Sequence, residues 1–435
     1  MTLAALKEEF ERYIVLKDKW AIDIILATII GNMCIERDPL WLMMIGASSG
    51  GKTTMLAPCH TIDNVHFLDD LTEKTLLSGY KIKGKEASFL KKVGSGVLCF
   101  SDFTSILAKN PVSRGEILTQ LKLVFDGKLT KETGTGSISW TGKIGAVCAS
   151  TPDVYTYLEN SRSMGERFLY YWLEQPTNQE IMDKQETHNL SSRQITTVME
   201  AMYKEYFDGV RSYQEANNIE LTMTKEQRAR VQDAAIFCVN GKATIRTDFK
   251  TGQPNAIPNI SGVGRDAKIF ETLLHARQLM NCYEHDNPAL GVTDDMMSLV
   301  EKCAYSSINR ERRKVLETLA AAPNPLSTAQ IGAVEGFGLE KDMVLQYLAP
   351  LHAVGMITKQ TGGNAHKWTI EDPKVLSFVR EVSRLVVDTS PVKAIVANEG
   401  GGELLDEYYQ LKPSQELTPE EQAIWEEVGG EREEV

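Results

Sequence analysis

Residues 40–56 read LWLMMIGASSGGKTTML, a continuously apolar run followed by a loop of small residues. An apolar run without alternation is typical of a parallel strand that is buried on both faces. The loop matches the pattern G-x-x-x-x-G-K-[ST], with Gly46, Gly51, Lys52 and Thr53 in register. Glycines let the backbone curl, so that consecutive N–H groups and the N-terminus of the next helix face a phosphate group. The stretch therefore predicts a nucleotide-binding loop between a buried strand and a helix.

The side chains of this loop predict the chemistry of its ligand. The amine of Lys52 can reach the β- and γ-phosphates of ATP, and the hydroxyl of Thr53 can complete the coordination shell of Mg²⁺. ATP and Mg²⁺ are therefore the expected cofactors, and a turn that is merely rich in glycine and serine is the alternative. The predicted cofactor-binding residues are Gly46, Ala47, Ser48, Ser49, Gly50, Gly51, Lys52, Thr53 and Thr54.

A loop of this kind needs an acidic residue at the end of a neighbouring strand. The sequence GVLCFSDF, residues 96–103, supplies Asp102. The usual ending is Asp-Glu, with one residue for the metal and one to polarise the attacking water. Only one carboxylate is present in this chain, so Asp102 must serve the Mg²⁺, the water or both. A solvated acid at a strand end is the alternative.

Short apolar runs alternate with helix-like stretches from the loop to about residue 172, which predicts a parallel sheet covered by helices. The predicted strands are residues 40–46, 65–70, 96–102, 143–150 and 167–173. The pattern is mostly helical before this region and again after Pro176. Residues 310–371 predict three helices and a two-stranded hairpin, which is a winged-helix pattern, with Ser327 or Thr328 as the N-cap of the second helix.

Composition sets the expected class of protein. The 435 residues have a net charge of −12, but residues 401–435 hold eleven acidic and two basic residues, so the charge of the remainder is only −3. The seven cysteines lack a CxxC pair, which indicates reduced thiols, and the seven histidines lack metal-ligand spacing. The most apolar stretch, residues 21–33, is too short to span a bilayer. We therefore expect a soluble, cytoplasmic protein without membrane contact and with a solvated acidic tail.

Residues 126–152, DGKLTKETGTGSISWTGKIGAVCASTP, resemble a segment of AAA+ ATPases. They are similar to the hairpin that precedes the sensor 1 strand in superfamily 3 and MCM-type helicases. The resemblance implies that Ser150 and Thr151, at the end of that strand, act on the γ-phosphate and the water. It also implies that the hairpin enters the channel of a ring and grips DNA through Lys128 and Lys131. A solvated surface hairpin is the alternative.

The sequence SRSMGERFLYYWLE, residues 161–174, resembles the AAA+ segment in which an arginine reaches the nucleotide site of the next subunit. The planar, always-charged guanidinium suits this role because it can bind phosphate oxygens bidentately. The resemblance implies that Arg167 is this arginine finger and makes Arg162 the second candidate. A structural ion pair is the alternative for Arg167.

Residues 262–281 resemble the helical lid of MCM-like AAA+ proteins, which implies a sensor 2 role for Arg265, with Arg277 as the fallback. The resemblance covers about residues 20–370 and implies an α/β fold: a P-loop NTPase (AAA+) parallel-sheet core with a helical lid. The expected parts are an N-terminal helical segment (1–36), the AAA+ core (37–175), the lid (176–308), a winged-helix domain (309–372), and a C-terminal helix with the acidic tail (373–435).

The densest basic stretch is EKTLLSGYKIKGKEASFLKK, residues 73–92, in which Lys83 and Lys85 are the predicted DNA-phosphate contacts. A solvated charged face is the alternative. The third helix of the winged-helix pattern carries Glu340 and Asp342 and is poorly charged for reading a major groove.

The leading functional prediction is an ATP hydrolase that acts as a DNA translocase or helicase in a homo-oligomeric ring, expected to be a hexamer. Residues 26–54, 71–79, 101–107 and 165–169 also resemble segments of ATPases from phages and mobile genetic elements, which suggests that kind of source. The second prediction is an AAA+ switch or remodelling ATPase, such as a helicase loader or defence-system ATPase, whose winged helix or acidic tail binds protein. A non-catalytic nucleotide-binding scaffold is the third, because the second acid is missing.

Overall fold

The structure, a computed structural model, centres on a parallel sheet of five strands in the described part of the chain. It describes residues 1–47, 50–72, 74–78, 81–82, 85–86, 88–133, 136–155, 157, 167–245, 258–334, 341–362 and 365–386. The strands are β1 (Trp41–Ile45), β2 (Val65–Phe67), β3 (Lys81–Ile82), β4 (Lys85–Glu86), β5 (Gly96–Phe100), β6 (Lys128–Thr133), β7 (Gly136–Thr141), β8 (Ile144–Ser150), β9 (Phe168–Trp172), β10 (Leu326–Ser327), β11 (Thr358–Gly362) and β12 (Ala365–Thr369). The helices are α1 (Leu3–Tyr13), α2 (Ala21–Met33), α3 (Lys52–Leu56), α4 (Phe89–Val93), α5 (Thr104–Leu107), α6 (Pro111–Phe125), α7 (Asn178–Glu186), α8 (Ser192–Asn217), α9 (Lys225–Lys242), α10 (Val263–Glu284), α11 (Asp294–Ser306), α12 (Arg310–Ala321), α13 (Thr328–Gly332), α14 (Lys341–Ala353) and α15 (Pro373–Val382).

The central sheet has the strand order β2-β5-β8-β1-β9, and each neighbouring pair is parallel. β1 lies between β8 and β9, with Trp41 in register with Ala146 on one side and Phe168 on the other. Because the strands run in one direction, their carboxyl ends meet at one edge of the sheet, the carboxyl edge, and their amino ends at the opposite edge, the amino edge. The five predicted strands are all present, and the predicted α/β class is confirmed.

The sheet is buried on both faces, which explains the lack of alternation in β1. Successive side chains of a strand point to opposite faces. Leu42 and Met44 belong to one hydrophobic core, whereas Trp41, Met43 and Ile45 belong to a second core on the other face. All five side chains are buried, so no position of this strand can be polar without burying a polar group.

The first core joins the sheet to α1, α2, α8, α9, α10 and α11. Capping boxes, which satisfy backbone N–H groups at a helix start, set the first residues of α7, α8 and α9. Their pairs are Thr177 with Glu180, Ser191 with Gln194, and Thr224 with Gln227. Because α8, α9, α10 and α11 contribute to the first core, helices of the segment predicted as a lid share this core with the sheet. None of the described helices is long and apolar enough to cross a membrane.

The C-terminal part of the described chain contains a small antiparallel sheet with the order β10-β12-β11. Ser327 caps α13 through a capping box, as the sequence predicts. This part joins the second core: the guanidinium carbon of Arg313 lies 4.5 Å from the Trp172 ring, and the Phe237 and Phe378 ring centroids are 4.1 Å apart. The predicted C-terminal helix is α15, whereas residues 387–435, with the predicted acidic tail, lie outside the described residues.

Candidate nucleotide site

The glycine-rich loop, residues 46–51, leaves the carboxyl end of β1. The N–H of Gly46 donates to the carbonyl of Ser150 at 3.2 Å, which ties the start of the loop to the end of β8. Gly51 has a φ of +77° and directly precedes α3, and a side chain in this left-handed conformation would be strained. Ser48 and Ser49 lie outside the described residues. The order of strand, loop and helix is the one that the sequence predicts.

The side chain of Lys52 is buried and turns back onto the loop. Its ammonium group donates to the carbonyl of Gly46 at 2.7 Å and to that of Ala47 at 2.5 Å. Burial lowers the pKa of Lys52 to about 8, although the Asp102 carboxylate opposes this shift. A cation in such surroundings gains a strong partner when a phosphate group binds beside it.

Asp102 follows β5 and is connected to the end of β8 through Thr104. The Asp102 carboxylate accepts the N–H of Thr104 at 2.9 Å. The Thr104 hydroxyl lies 2.8 Å from the hydroxyl of Ser150 and accepts the N–H of Thr151 at 3.1 Å. Thr104 therefore joins the predicted metal ligand to the two predicted sensor residues. Sequence reasoning missed Thr104, although a hydroxyl two positions after a strand-end acid is a visible signal.

Gln175 is a second residue that sequence reasoning missed. It follows β9, the other neighbour of β1, and its side chain is buried. A β-carbon at Gly50 would lie 1.5 Å from Oε1 of Gln175, and one at Gly46 would lie 2.5 Å from its Nε2. Gly46 and Gly50 therefore leave room for this amide. No local pattern marks Gln175, because the contact depends on β9 lying beside β1.

A cleft of about 350 Å³ lies beside the loop, and Lys52 and Thr53 form part of its lining. Tyr13, His188 and Leu190 also line it. Nδ1 of His188 accepts the N–H of Leu190 at 3.2 Å, so Nε2 carries the proton that the Tyr13 carbonyl accepts at 2.8 Å. This bond fastens the end of α1 to the segment between α7 and α8. The size and mixed lining of the cleft suit a nucleoside.

A buried ionic network supports the strand end that carries Gln175. Lys302 and Asp18 form an ion pair at 2.6 Å, and both side chains are buried. The Lys302 ammonium also donates to the Tyr171 hydroxyl at 3.1 Å, and that hydroxyl donates to the Asp18 carboxylate. Asp18 accepts the N–H of Glu174 at 3.1 Å. The network therefore holds α11, the segment after α1 and the end of β9 together.

The residues at the carboxyl edge fit a Mg²⁺ ion bound together with a nucleotide. Thr53 and Asp102 are both exposed at this edge, while Thr54 is half-buried. Mg²⁺ usually keeps several waters and binds through one or two side chains plus substrate phosphates. Across the described ranges, no group of three or more His, Cys, Asp or Glu side chains could hold a metal by itself.

Arg167 lies at the opposite, amino edge of the sheet, directly before β9. The five residues of β9 span roughly 17 Å, which separates this arginine from the loop of its own chain. Its guanidinium forms an ion pair with Asp126, with N–O distances of 2.9 and 3.1 Å, and lies over the Phe125 ring. The predicted alternative of an ion pair is therefore present, with Asp126 as the partner. Arg162 lies outside the described residues.

Arg265 lies in the first turn of α10 and is also at the amino edge. It lines a cleft of about 600 Å³ together with Asp126 and with Lys143, which directly precedes β8. The predicted sensor 2 residue therefore lies on the same side as Arg167 and away from the glycine-rich loop of its own chain. The fallback residue, Arg277, is an internal structural group that forms a 2.8 Å ion pair with the buried Asp23.

The predicted DNA-contacting lysines lie on two hairpins. Strands β6 and β7 form the predicted antiparallel hairpin, on which Lys128 is exposed and Lys131 is half-buried. The indole N–H of Trp140 donates to a backbone carbonyl at 2.8 Å and anchors the base of this hairpin. Lys83 lies outside the described residues, and Lys85 belongs to β4 but its side chain also lies outside them.

No family model matches the chain, and no curated protein matches it either. The function is therefore inferred from the arrangement of the residues themselves.

The lowered pKa of Lys52 predicts a pH-dependent nucleotide affinity. A bound phosphate stabilises the charged amine and raises its pKa, so binding takes up a proton when the pH is above about 8. We expect a constant Kd below this pH and an increase of about tenfold per pH unit above it. Titration with a fluorescent ATP analogue between about pH 6.5 and 9.5 measures the effect. In Lys52→Arg, which stays charged over this range, any remaining slope belongs to other groups. A flat profile for the unaltered protein would contradict the prediction.

Proposed function

We propose that this chain is a Mg²⁺-dependent ATP hydrolase, a P-loop NTPase of the AAA+ type. One observation carries the proposal: Lys52, Asp102 and the Ser150-Thr151 pair converge on the glycine-rich loop at the carboxyl edge of a parallel sheet. Open α/β sheets bind their ligands beyond the carboxyl ends of the strands. These residues come from three separate strand ends, and the chemistry of each suits one part of a Mg²⁺-nucleotide complex.

Each residue then has a distinct task in hydrolysis. Bound ATP and Mg²⁺ supply the phosphoanhydride and the charge that activates its terminal phosphorus. Lys52 neutralises the β- and γ-phosphates, while Thr53 and Asp102 would hold the metal. The hydroxyls of Ser150 and Thr151 would orient the γ-phosphate and the water. Electrostatic positioning of this kind provides most of the catalysis in phosphoryl transfer.

The amino-edge position of Arg167 and Arg265 supports a site shared between subunits. Both lie on the opposite side of the sheet from the loop of their own chain. A head-to-tail contact can place this edge against the carboxyl edge of the next subunit, and repeated head-to-tail contacts can close a ring. We therefore propose a homo-oligomeric ring, expected to be a hexamer, with one ATP site at each interface.

We propose that the work of this ring is DNA translocation or unwinding, in a phage or mobile genetic element. The anchored hairpin of β6 and β7, with Lys128 exposed, supports contact with the phosphate backbone. Hydroxyl-bearing residues, which also bind phosphate oxygens, occupy several exposed positions of the same hairpin. These positions are Thr130, Ser137, Ser139 and Thr141.

A switch or remodelling ATPase is the second candidate, and the C-terminal part of the chain favours it. Helix α14 exposes Met343 to 44%, an apolar side chain that suits a protein partner better than DNA phosphates. Because this part shares a core with the sheet, movement at the nucleotide site can pass to that surface. The acidic tail is a further candidate for binding a protein partner.

Measuring ATP hydrolysis with and without single-stranded DNA separates these functions. A translocase should hydrolyse ATP faster with DNA. The double variant Lys128→Ala/Lys131→Ala should reduce that stimulation and the DNA affinity by about tenfold at low salt. The matched control is Lys225→Ala with Arg228→Ala, which removes two exposed charges from α9. Hydrolysis that DNA does not change would favour the switch. Nucleotide binding without hydrolysis would favour the scaffold and contradict the proposed enzyme.

A further inference from the structure

In the proposed ATP hydrolysis, on which this inference rests, a carboxylate polarises the attacking water. That carboxylate is missing from its usual place next to Asp102. The next residue is Phe103, which is buried and packs edge-on against Phe100 at 5.4 Å and Phe168 at 5.6 Å. Its side chain packs in the second core and carries no carboxylate. A carboxylate for the water must therefore come from another element.

The strand order limits which acids can reach the loop. Neighbouring strands lie about 4.8 Å apart, so the end of β8 is one strand from β1, whereas the end of β2 is roughly 14 Å away. Asp69 and Asp70 follow β2, and Asp70 is also held by Lys109 in an ion pair at 2.7 Å. Both acids are therefore too far away to meet a γ-phosphate beside Lys52.

Glu174 follows β9, which is the other neighbour of β1, but it faces away from the loop. Gln175, the next residue, packs against the loop glycines, and successive side chains of an extended chain point in opposite directions. The backbone N–H of Glu174 binds Asp18. Burial, followed by the charge of Asp18, raises the pKa of Glu174. The charges of Asp18 and Lys302, which act on the Glu174 carboxylate, belong to the buried ionic network.

Asp153 has the required position, three residues beyond β8 and exposed at the carboxyl edge. Its carboxylate accepts the Thr151 hydroxyl at 3.0 Å. The hydroxyls of Thr151 and Thr104 are 3.4 Å apart, and the Thr104 N–H binds Asp102. A continuous chain of polar contacts therefore connects Asp153 to the predicted metal ligand, along the strand that is tied to the loop.

We propose that Asp153 is the second carboxylate of the site and that it orients and deprotonates the attacking water. Asp153 accepts a proton from the water as its oxygen forms a bond to the γ-phosphorus. The bond from that phosphorus to the β,γ-bridging oxygen breaks, and ADP leaves with the electron pair. Asp153 then releases the proton to solvent. Thr151 acts as a positioning residue that fixes the direction of the carboxylate.

The test compares Asp153→Asn with Asp70→Asn, a charge-matched exposed acid at the same edge. A general base contributes about 10² to 10⁴ in rate, so Asp153→Asn should lower kcat by about 100-fold or more. Its nucleotide Kd should stay within about threefold of the wild-type value, because Asp153 acts on the water and not on the nucleotide. Asp70→Asn should hydrolyse normally.

Two outcomes would overturn the proposal separately from the proposed function. If the unaltered protein hydrolyses ATP and Asp153→Asn keeps its kcat, Asp153 has no role in the chemistry. Asp153→Glu keeps a carboxylate but changes the turn after β8. If Asp153→Asn and Asp153→Glu lower the thermal unfolding midpoint by the same amount and kcat by the same factor, the carboxylate serves only to hold this turn. Failure of the unaltered protein to hydrolyse ATP would instead reject the proposed function itself.

Discussion

Lys52→Ala is expected to abolish ATP hydrolysis, with a loss of at least about 100-fold in kcat, the scale for one missing transition-state donor. The lysine is the buried cation of the glycine-rich loop, and its ammonium is held by the carbonyls of Gly46 and Ala47. In the variant, residues 46–54 no longer offer a side-chain charge to the β- and γ-phosphate oxygens of bound ATP, because Lys52 is the one charged residue of this stretch. Phosphate release under saturating ATP and Mg²⁺ measures the effect.

The matched control is Lys91→Ala, which removes an exposed lysine from α4 and should leave hydrolysis unchanged. Circular dichroism of both variants separates loss of function from loss of fold. Lys52→Ala should stay folded, because burial already disfavours its charge, as the lowered pKa of about 8 shows. Turnover at the wild-type rate in Lys52→Ala would reject the phosphate-binding role of the loop.

Arg167→Ala should bind ATP nearly normally but lose hydrolysis. If Arg167 acts on the nucleotide of the next subunit, it meets charge that develops in the transition state. Arginine fingers contribute about 10³ to 10⁵ in rate, so the expected loss is about 1,000-fold or more. Mixing Arg167→Ala with Lys52→Ala subunits should restore some turnover, because a mixed interface can combine an intact loop with an intact finger. Neither variant alone can form such an interface.

Asp126→Ala distinguishes the finger from a structural ion pair. Asp126 holds the guanidinium of Arg167 within one chain, so a finger must leave this partner to reach the next subunit. Loss of Asp126 should then preserve hydrolysis while removing the ion pair. If Asp126→Ala and Arg167→Ala lose stability and activity in parallel, or if the mixture stays inactive in rings shown to contain both chains, the finger assignment fails. Arg162 then becomes the candidate.

The strands and their order along the chain could be predicted because a strand that is buried on both faces is apolar at every position, and such a run is visible in a short stretch of sequence. The run from Trp41 to Ile45 is apolar at every position, and the structure places its side chains alternately in the two cores. Ser327 could likewise be recognised as an N-cap, since a hydroxyl followed by glutamine three residues later satisfies the first N–H groups of a helix.

Contacts between distant segments could not be predicted. Gln175 meets the loop glycines only because β9 lies beside β1, and Asp18 meets Lys302 only because α11 packs against the end of that strand. Arg167 forms its ion pair with Asp126, which directly follows α6 and lies 41 positions earlier in the chain. The number of residues between two positions in the sequence does not tell whether their side chains meet in the fold.

The sequence by itself determined the five strands, the glycine-rich loop and the residue types available for phosphate and metal, because these depend on local periodicity, turn geometry and side-chain chemistry. Only the tertiary structure decided that β8 lies between β1 and β5, so that Asp153, which follows β8, comes after a direct neighbour of β1. It also decided that Arg167 and Arg265 lie at the edge opposite the loop. The physical reason is that strand order arises from how helices pack on both faces of the sheet, and this packing joins residues that no short stretch of chain contains.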